Sequence, residues 1–370
     1  MMKHKICLFD VTASHYRKEI FTLMDKTFDV DFYFGDMMPS IKQMNKEALK
    51  GYKRTLHVRH IGPFFWYEGM VRTVLKEYDT LIFDGDYRCL STWVSLLLCK
   101  ILKKKTYLWT HGFYGSESGL KKILKKSFVA TASGCLLYGD YAKKMMTTRY
   151  GIAQRKLAVI HNSLDYDEQK GIRDTLSPSE IYQEYFNNTD PVLLFIGRLT
   201  EVKKLNMLIE AQHLLINMGK AVNVVFVGDG PMKDSLEHLV DKYSLTSRIW
   251  FYGASYDDKE NSSLIYNADV CVSPGNIGLT AIHSLSFGTP AITHNKLEKQ
   301  MPEFEVIKEG LTGAFFEYGN VDSLASSIEK WLESVKDRSS IRNNCYSVID
   351  SEWNPYYQIR VLKDVIEDEA

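Results

Sequence analysis

Short apolar runs, each closed by glycine or a polar turn, alternate with amphipathic stretches along almost all of this 370-residue chain. In the first half "KICLFDV", "VDFYFG", "TLIFDG", "KTYLWTHG" and "SGCLLYG" read as strands followed by helices. Strands that are apolar along their whole length are buried on both faces, so helices must cover both sides of the sheet they form. The rhythm therefore predicts a parallel, doubly wound sheet. It starts again with "PVLLFIGRL", "AVNVVFVGDGP", "RIWFYGA" and "DVCVSPG", each followed by a helical pattern. Between the two series, "LAVIHNSLD" runs into a charged, poorly periodic stretch reaching about residue 190. The expectation is an α/β protein with one domain over 1–165, a linker over 166–190, a second domain over 191–340, and a closing segment over 341–370. Such sheets bind ligands at the carboxyl ends of their strands, which places the expected site in a cleft between the two domains.

Charge is unevenly spread. Lys and Arg equal Asp and Glu at 46 each, but residues 1–165 hold 27 cations against 15 anions, and the remainder 19 against 31. A front half this basic suits an anionic partner: a phosphate-bearing substrate, an acidic glycan or a membrane surface. Its densest basic run is "KKKTYLWTHGFYGSESGLKKILKK" (103–126), which a solvated helix face would equally explain. The most apolar window, "STWVSLLLCKIL" (91–102), is too short to span a bilayer, which takes about 20 residues, and is expected as a buried helix. The opening "MMKHKICLFDV" reads as a first buried strand rather than a secretory signal. Six scattered cysteines without a C-x-x-C pair point to reduced, buried thiols and a cytoplasmic setting, with no metal site built on them.

Three segments carry chemistry. In "FIGRLTEVKKLNMLIEA" (195–211) a strand ends at Gly197 and is followed by Arg198 and Lys203 just ahead of a helix. A guanidinium fork and an ammonium there suit a diphosphate, though a surface Arg and Lys would read the same way. "FVGDGP" (226–231) is a strand and a turn, in which Gly228 and Gly230 allow close backbone approach. In "PGNIGLTAIHSL" (274–285), Gly278 permits a ligand near the backbone, and the Leu279 and Thr280 amides open a helix, a natural anion site.

Together with "SFGTPAIT" and "EGLTGAFF", these segments resemble glycosyltransferase family 4, retaining enzymes of the GT-B fold, over roughly residues 190–335. "LWTHG" (108–112), "VIHNSLD" (159–165) and the final "WNPYYQIRVLKDVI" resemble the family more weakly. The resemblance implies two Rossmann-like domains facing across a cleft, with acceptor binding in 1–165 and nucleotide-sugar binding in 191–340. It also implies a last helix that crosses back to the first domain. By the same token Gly197, Arg198 and Lys203 would hold the donor diphosphate, with Gly230 in the neighbouring turn. The Gly278–Leu279–Thr280 backbone would cap the phosphates. His111 would face the donor sugar, with a buried structural histidine as its rival reading, and Asn162 would be architectural.

The chain departs from the pattern in "VSPGNIGLTAIHSLSFGTPAIT" (272–293). Two glutamates that the family spaces eight residues apart are replaced by Gly275 and His283. His283 can still hydrogen-bond a ribose; Gly275 cannot stand in for a carboxylate. The longer "HNKLEKQMPEFEVI" (294–307) offers Glu298, Glu303 and Glu305, of which Glu303 is the candidate for the absent carboxylate, against a plain surface glutamate. Glu305 corresponds to an ordinary glutamate of the family. The combination with "QMPEFE" resembles a subgroup of bacterial polysaccharide-assembly transferases, implying a working variant. The glycine-rich turn after the first strand is also absent. "DVTASHYRKEIF" (10–21) stands there, so His15, Tyr16, Arg17 and Lys18 could meet an acceptor such as a lipid-linked diphosphate, or simply begin a surface helix.

The expected protein is a cytoplasmic retaining hexosyltransferase, peripheral on the inner face of the cell membrane. It would take a nucleoside diphosphate sugar, UDP favoured over GDP, to a glycan or polyprenyl-diphosphate-linked acceptor in capsule or lipopolysaccharide assembly. No cofactor, metal or nucleic acid is expected. The alternatives are a GT-B sugar-nucleotide epimerase, distinguished by conversion without acceptor, and an inactive GT-B binding protein, which would have no need of Arg198, Lys203 and His111.

Overall fold

The computed structural model describes residues 4–38, 42–335 and 337–367, so the outer ends of the expected first and closing segments lie outside the described residues. The chain divides into two compact units, 1–165 with 354–370, and 166–353.

In the first unit, strands β1 (Lys5–Asp10), β2 (Asp29–Gly35), β3 (Tyr52–Leu56), β6 (Thr80–Asp84), β7 (Lys105–Thr110), β8 (Gly134–Leu137) and β9 (Leu157–Val159) form one parallel sheet. Its order is β3-β2-β1-β6-β7-β8-β9, reversing between β1 and β6. A separate antiparallel hairpin joins β4 (Val58–Ile61) to β5 (Phe64–Tyr67). The period-two alternation of strands explains why both faces are dry: Cys7 and Phe9 enter one core with Leu81, Phe83 and Leu108, while Ile6 and Leu8 enter another with Phe32, Ile82 and Trp109. The second core is closed by the last helix, Pro355–Glu367, through Ile359, Leu362 and Ile366. Gln358 fixes that helix, accepting from Ser163 Oγ at 2.7 Å and donating to the His161 carbonyl at 3.0 Å.

In the second unit, β10 (Val192–Ile196), β11 (Asn223–Val227), β12 (Ile249–Gly253), β13 (Val270–Ser273), β14 (Ala291–His294) and β15 (Gly313–Phe316) form a parallel sheet. Its order is β12-β11-β10-β13-β14-β15, with the reversal between β10 and β13. Both sheets are the doubly wound α/β kind that the sequence rhythm predicts.

Three expectations change. The stretch 166–190 is not a free linker: helices Tyr166–Arg173 and Ile181–Phe186 belong to the second unit. Tyr182 and Phe186 pack with Val192, Leu194 and Val225, so its sparse apolar residues are core contacts. The segment 341–370 is also split. Helix Arg338–Glu352 stays with the second unit, where Arg342 bonds the Tyr266 carbonyl at 2.8 Å, and the crossing helix begins only at Pro355. Finally, the apolar window 91–102 forms helix Leu90–Ile101, but only one side is buried. Leu96 and Cys99 face the core, whereas Leu97 is 53% and Ile101 76% exposed. Among the described residues no helix is long and apolar enough to cross a membrane.

Candidate functional site

The order of the second unit's sheet reverses between β10, which leads into Gly197, and β13, which ends in Ser273, and the sequence-predicted donor residues gather there. The turn after β11 lies directly on the backbone after β10. Gly197 N donates to the Val227 carbonyl at 2.9 Å, and Leu199 N to that of Asp229 at 2.9 Å. A Cβ at Gly228 or Gly230 would collide with the carbonyl oxygens of Gly197 and Leu199, which is why this turn carries two glycines. From this platform Arg198 projects exposed, with no ion pair or hydrogen bond from its guanidinium among the described residues. Thr280 Oγ1 donates to the Ile196 carbonyl at 3.1 Å, pinning the start of helix Leu279–Ser286 to the end of β10. Its first amides therefore open beside Gly197 and Arg198. A Cβ at Gly278 would meet nothing nearer than Met301 Cγ at 3.8 Å, so packing within the chain does not demand glycine there.

Lys203 leans on the loop after β13. Its Nζ donates to the Asn276 carbonyl at 2.7 Å and to Asn276 Oδ1 at 3.0 Å. Burial depresses its pKa, and the charge of Glu303 works against that depression. Glu303 is 2% exposed, so it is a buried carboxylate near Lys203 rather than a plain surface glutamate. Gln300, which sequence reasoning missed, holds this loop system together. It accepts from Ile277 N and donates to Thr293 Oγ1 and the His294 carbonyl, each at 2.9 Å.

The two substituted positions differ in kind. Gly275 is packed shut: its N donates to the Lys203 carbonyl at 2.8 Å, and a Cβ would lie 2.6 Å from Lys203 Cα. The loop carrying Lys203 occupies the space in which a side chain would begin. His283 keeps an unused hydrogen-bonding atom: its Nε2 is buried with no partner among the described residues. Burial pushes its pKa down to about 4, so the ring is neutral at pH 7 and can donate or accept.

The first unit has its own cluster at the carboxyl edge of its sheet. Asp10 ends β1, Asp84 ends β6, and His111 follows β7. Asp84 was not anticipated, although "FDGD" at a strand end next to a sheet reversal is a readable signal. Burial, then the neighbouring Asp10 and Asp86 charges, push its pKa up to about 7. Its neighbour Asp86 is engaged by Arg88, whose Nε donates to both carboxylate oxygens at 3.0 and 3.1 Å. His111 goes the other way, to about 4, through burial and then the charges of Arg17 and Lys125. Its Nδ1 is buried with no partner among the described residues. The loop after it is tied down by Glu117, which accepts from Lys125 Nζ and Tyr150 OH at 2.7 Å each and from Gly115 N at 3.0 Å. Burial alone would raise the Glu117 pKa, but these hydrogen bonds outweigh it and hold it at about 2.

The expected acceptor residues separate. His15 is exposed and Tyr16 half-buried, but Arg17 points inward. Its guanidinium pairs with Asp10 and stacks 4.3 Å from the Trp109 ring centroid. It serves the sheet edge rather than the surface, because the segment folds back on residues 42–44 through His15 N to the Lys42 carbonyl at 2.9 Å and Met44 N to that of Ala13 at 2.8 Å. Lys18 is exposed and lies 3.5 Å from Asp165. Among the described residues no group of three or more His, Cys, Asp or Glu is arranged to hold a metal.

Residues 178–348 match the family described as glycosyl transferases group 1. The chain is 25% identical over 247 residues to an uncharacterized glycosyltransferase of Methanocaldococcus jannaschii, an alignment covering 63% of this chain and 59% of that protein. It is 23% identical over 232 residues to the alpha-D-kanosaminyltransferase of Streptomyces kanamyceticus, covering 61% and 58%. The match thus spans under two thirds of the length of these relatives. Among solved structures it is similar to HepE of Anabaena in complex with UDP, with a TM-score of 0.74, 15% identity, and 98% and 99% of the two chains covered. The apo lipopolysaccharide outer core galactosyltransferase WaaB gives a TM-score of 0.72 at 15% identity, covering 99% and 100%. The fold is therefore GT-B.

Proposed function

We propose that this chain is a retaining glycosyltransferase of the family 4 kind, with a UDP-sugar as donor. The observation that carries the reading is the arrangement at the sheet reversal of the second unit. Exposed Arg198 and the amino end of helix Leu279–Ser286 lie beside Gly197, and half-buried Lys203 is held by Asn276 in the loop that leads into that helix, an arrangement that suits a diphosphate. The group 1 match over the same residues supports it, as does the complex of HepE with UDP-glucose. His283, neutral and with an unused Nε2, takes the ribose, and Glu303 supplies the carboxylate that Gly275 lacks.

In this reading the bond from sugar C1 to the diphosphate oxygen breaks as an acceptor hydroxyl oxygen bonds to C1 on the same face. The hydroxyl proton passes to the departing diphosphate. Negative charge grows on that diphosphate, so Arg198 and Lys203 bind the transition state more tightly than the ground state. We assign charge neutralisation to these cations, with no cofactor or metal. His111 is the group assigned to the donor sugar. His15 and Tyr16 are assigned to a glycan or polyprenyl-diphosphate-linked acceptor of surface polysaccharide assembly, at the inner face of the cell membrane.

The test is incubation with UDP-sugars and lipid-linked acceptors, following UDP release and the anomeric configuration of the product. Acceptor-dependent UDP release with retained configuration is expected. Interconversion of the nucleotide sugar without acceptor would move the reading to an epimerase.

A further inference from the structure

Helices Leu90–Ile101 and Gly119–Thr131 lie side by side on one face of the first unit's sheet, joined by the rings of Trp93 and Phe128, tilted against each other with centroids 5.0 Å apart. Each carries exposed large apolar side chains among its outward lysines. Leu97 and Ile101 are 53% and 76% exposed on the first helix, and Leu120 and Ile123 are 70% and 61% exposed on the second. Residues spaced four and three apart on a helix fall on one side, so each pair forms a short stripe.

Where the two helices end, the surface is a cup of about 360 Å³ lined by Lys100, Lys103, Lys104, Lys105 and Lys156, with hydroxyls from Thr106, Thr131 and Ser133 and no carboxylate. Lysines at helix carboxyl ends have an ordinary use in bonding the last carbonyls, and two of these five have one. Lys156 Nζ donates to the Ala132 carbonyl at 3.1 Å, and Lys104 Nζ to that of Val74 at 2.9 Å. Lys100, Lys103 and Lys105 make no ion pair among the described residues, nor do Lys121 and Lys126 beside the second stripe. Lys103 holds a left-handed backbone conformation with φ of +56°, an unusual one for a residue with a side chain. Like charges are therefore gathered without an ion-pair partner among the described residues, next to the exposed Leu97 and Ile101.

We propose that this helix pair is a docking surface for an anionic lipid bilayer. Leu97, Ile101, Leu120 and Ile123 would enter the headgroup boundary, and Lys100, Lys103 and Lys105 would receive lipid phosphates. Apolar stripes flanked by lysine are the chemistry of an interfacial helix, whereas a second protein copy would bring the same uncompensated charge against itself. The cup lies by the first residue of β7, at the opposite end of that strand from His111, so it is separate from the candidate site. The inference gives a place to the membrane-proximal function proposed above, but it does not depend on the chemistry.

The experiment is co-sedimentation of the full chain with phosphatidylcholine vesicles, alone and with phosphatidylglycerol added, without nucleotide or acceptor. Binding to the anionic vesicles that weakens with salt is expected. Each lysine at a membrane surface contributes about fivefold in affinity. A Lys100→Gln, Lys103→Gln, Lys105→Gln variant should therefore bind on the order of 100-fold more weakly, and Leu97→Glu with Ile101→Glu should abolish pelleting. All five positions are at the surface, and an unchanged circular dichroism spectrum and UDP affinity would show that the variants fold. No pelleting with anionic vesicles, pelleting unaltered in both variants, or a dimer dissociated by Leu97→Glu without vesicle binding would each overturn the assignment. UDP binding without vesicle binding would sink only this proposal, and vesicle binding without UDP binding only the preceding one.

Discussion

Restoring the glutamate at position 275 should damage the protein rather than improve it. A Cβ at Gly275 would fall inside contact distance of the Val202 carbonyl oxygen and lie 2.6 Å from Lys203 Cα and 2.7 Å from the Lys203 carbonyl carbon. Carbon atoms settle at roughly 3.5–4.0 Å, so the Val202–Lys203 backbone must retreat by about 1 Å. That movement also breaks the 2.8 Å bond from Gly275 N to the Lys203 carbonyl. Overpacking costs about 1–3 kcal/mol and a lost hydrogen bond about 1 kcal/mol. The sum of about 2–4 kcal/mol corresponds to a fall in melting temperature of roughly 5–15 °C for a unit of this size. Lys203 moves with its backbone, and a charged hydrogen bond to phosphate is worth about 1.5–3 kcal/mol, so UDP affinity should fall about 10- to 150-fold. Gly275→Ala and Gly275→Glu should behave alike, measured by differential scanning fluorimetry and by UDP calorimetry. A Gly275→Glu protein that melts like wild type and binds a UDP-sugar more tightly would refute the reasoning, because it would mean the side-chain space is open.

Three further predictions concern the buried polar groups. Glu117→Gln should destabilise the first unit by about 2–4 kcal/mol at pH 7. The folded pKa of Glu117 is depressed to about 2 from 4.5, so the wild-type advantage is full above pH 4.5 and disappears as pH falls through 2, which thermal melts across that range would read. Asp84 has the opposite sign: with its pKa raised to about 7, it favours the fold when protonated and costs stability as pH rises through 7. Melting temperatures at pH 5.5 and 8.5 should therefore fall more in wild type than in Asp84→Asn. His283→Phe, which keeps a ring packed on Phe287 but removes Nε2, should weaken UDP binding by up to about tenfold with little change in melting, since Nε2 bonds nothing among the described residues. A large melting loss would instead make it a packing residue.

Much of the fold was legible because parallel strands buried on both faces leave uninterrupted apolar runs that end in glycine or polar turns. The gathering of the residues proposed for the donor was readable for a related reason. Gly197 and Arg198 directly follow β10, and Thr280 lies in the first turn of the helix after β13, so local sequence order already places them at one sheet edge. What escaped reading depended on contacts distant in sequence. Tyr182 and Phe186 join a core with Val225, which no local periodicity announces, and so 166–190 read as a linker. Arg17 looked like a surface cation until Asp10 and the Trp109 ring surrounded it. Gln300 and Asp84 owe their importance to partners brought in by the fold. The helix over 90–101 misled in the reverse direction, since apolar composition implies burial only when something covers every side.

The most direct test of the central claim is calorimetry of UDP, GDP, CDP and ADP against the wild-type chain and Arg198→Ala. The account predicts that UDP binds, and that the variant, which keeps every packing contact of the platform but loses a charged fork, binds it about 10- to 150-fold more weakly. Absence of binding by all four diphosphates, or equal UDP affinity in the variant, would contradict it.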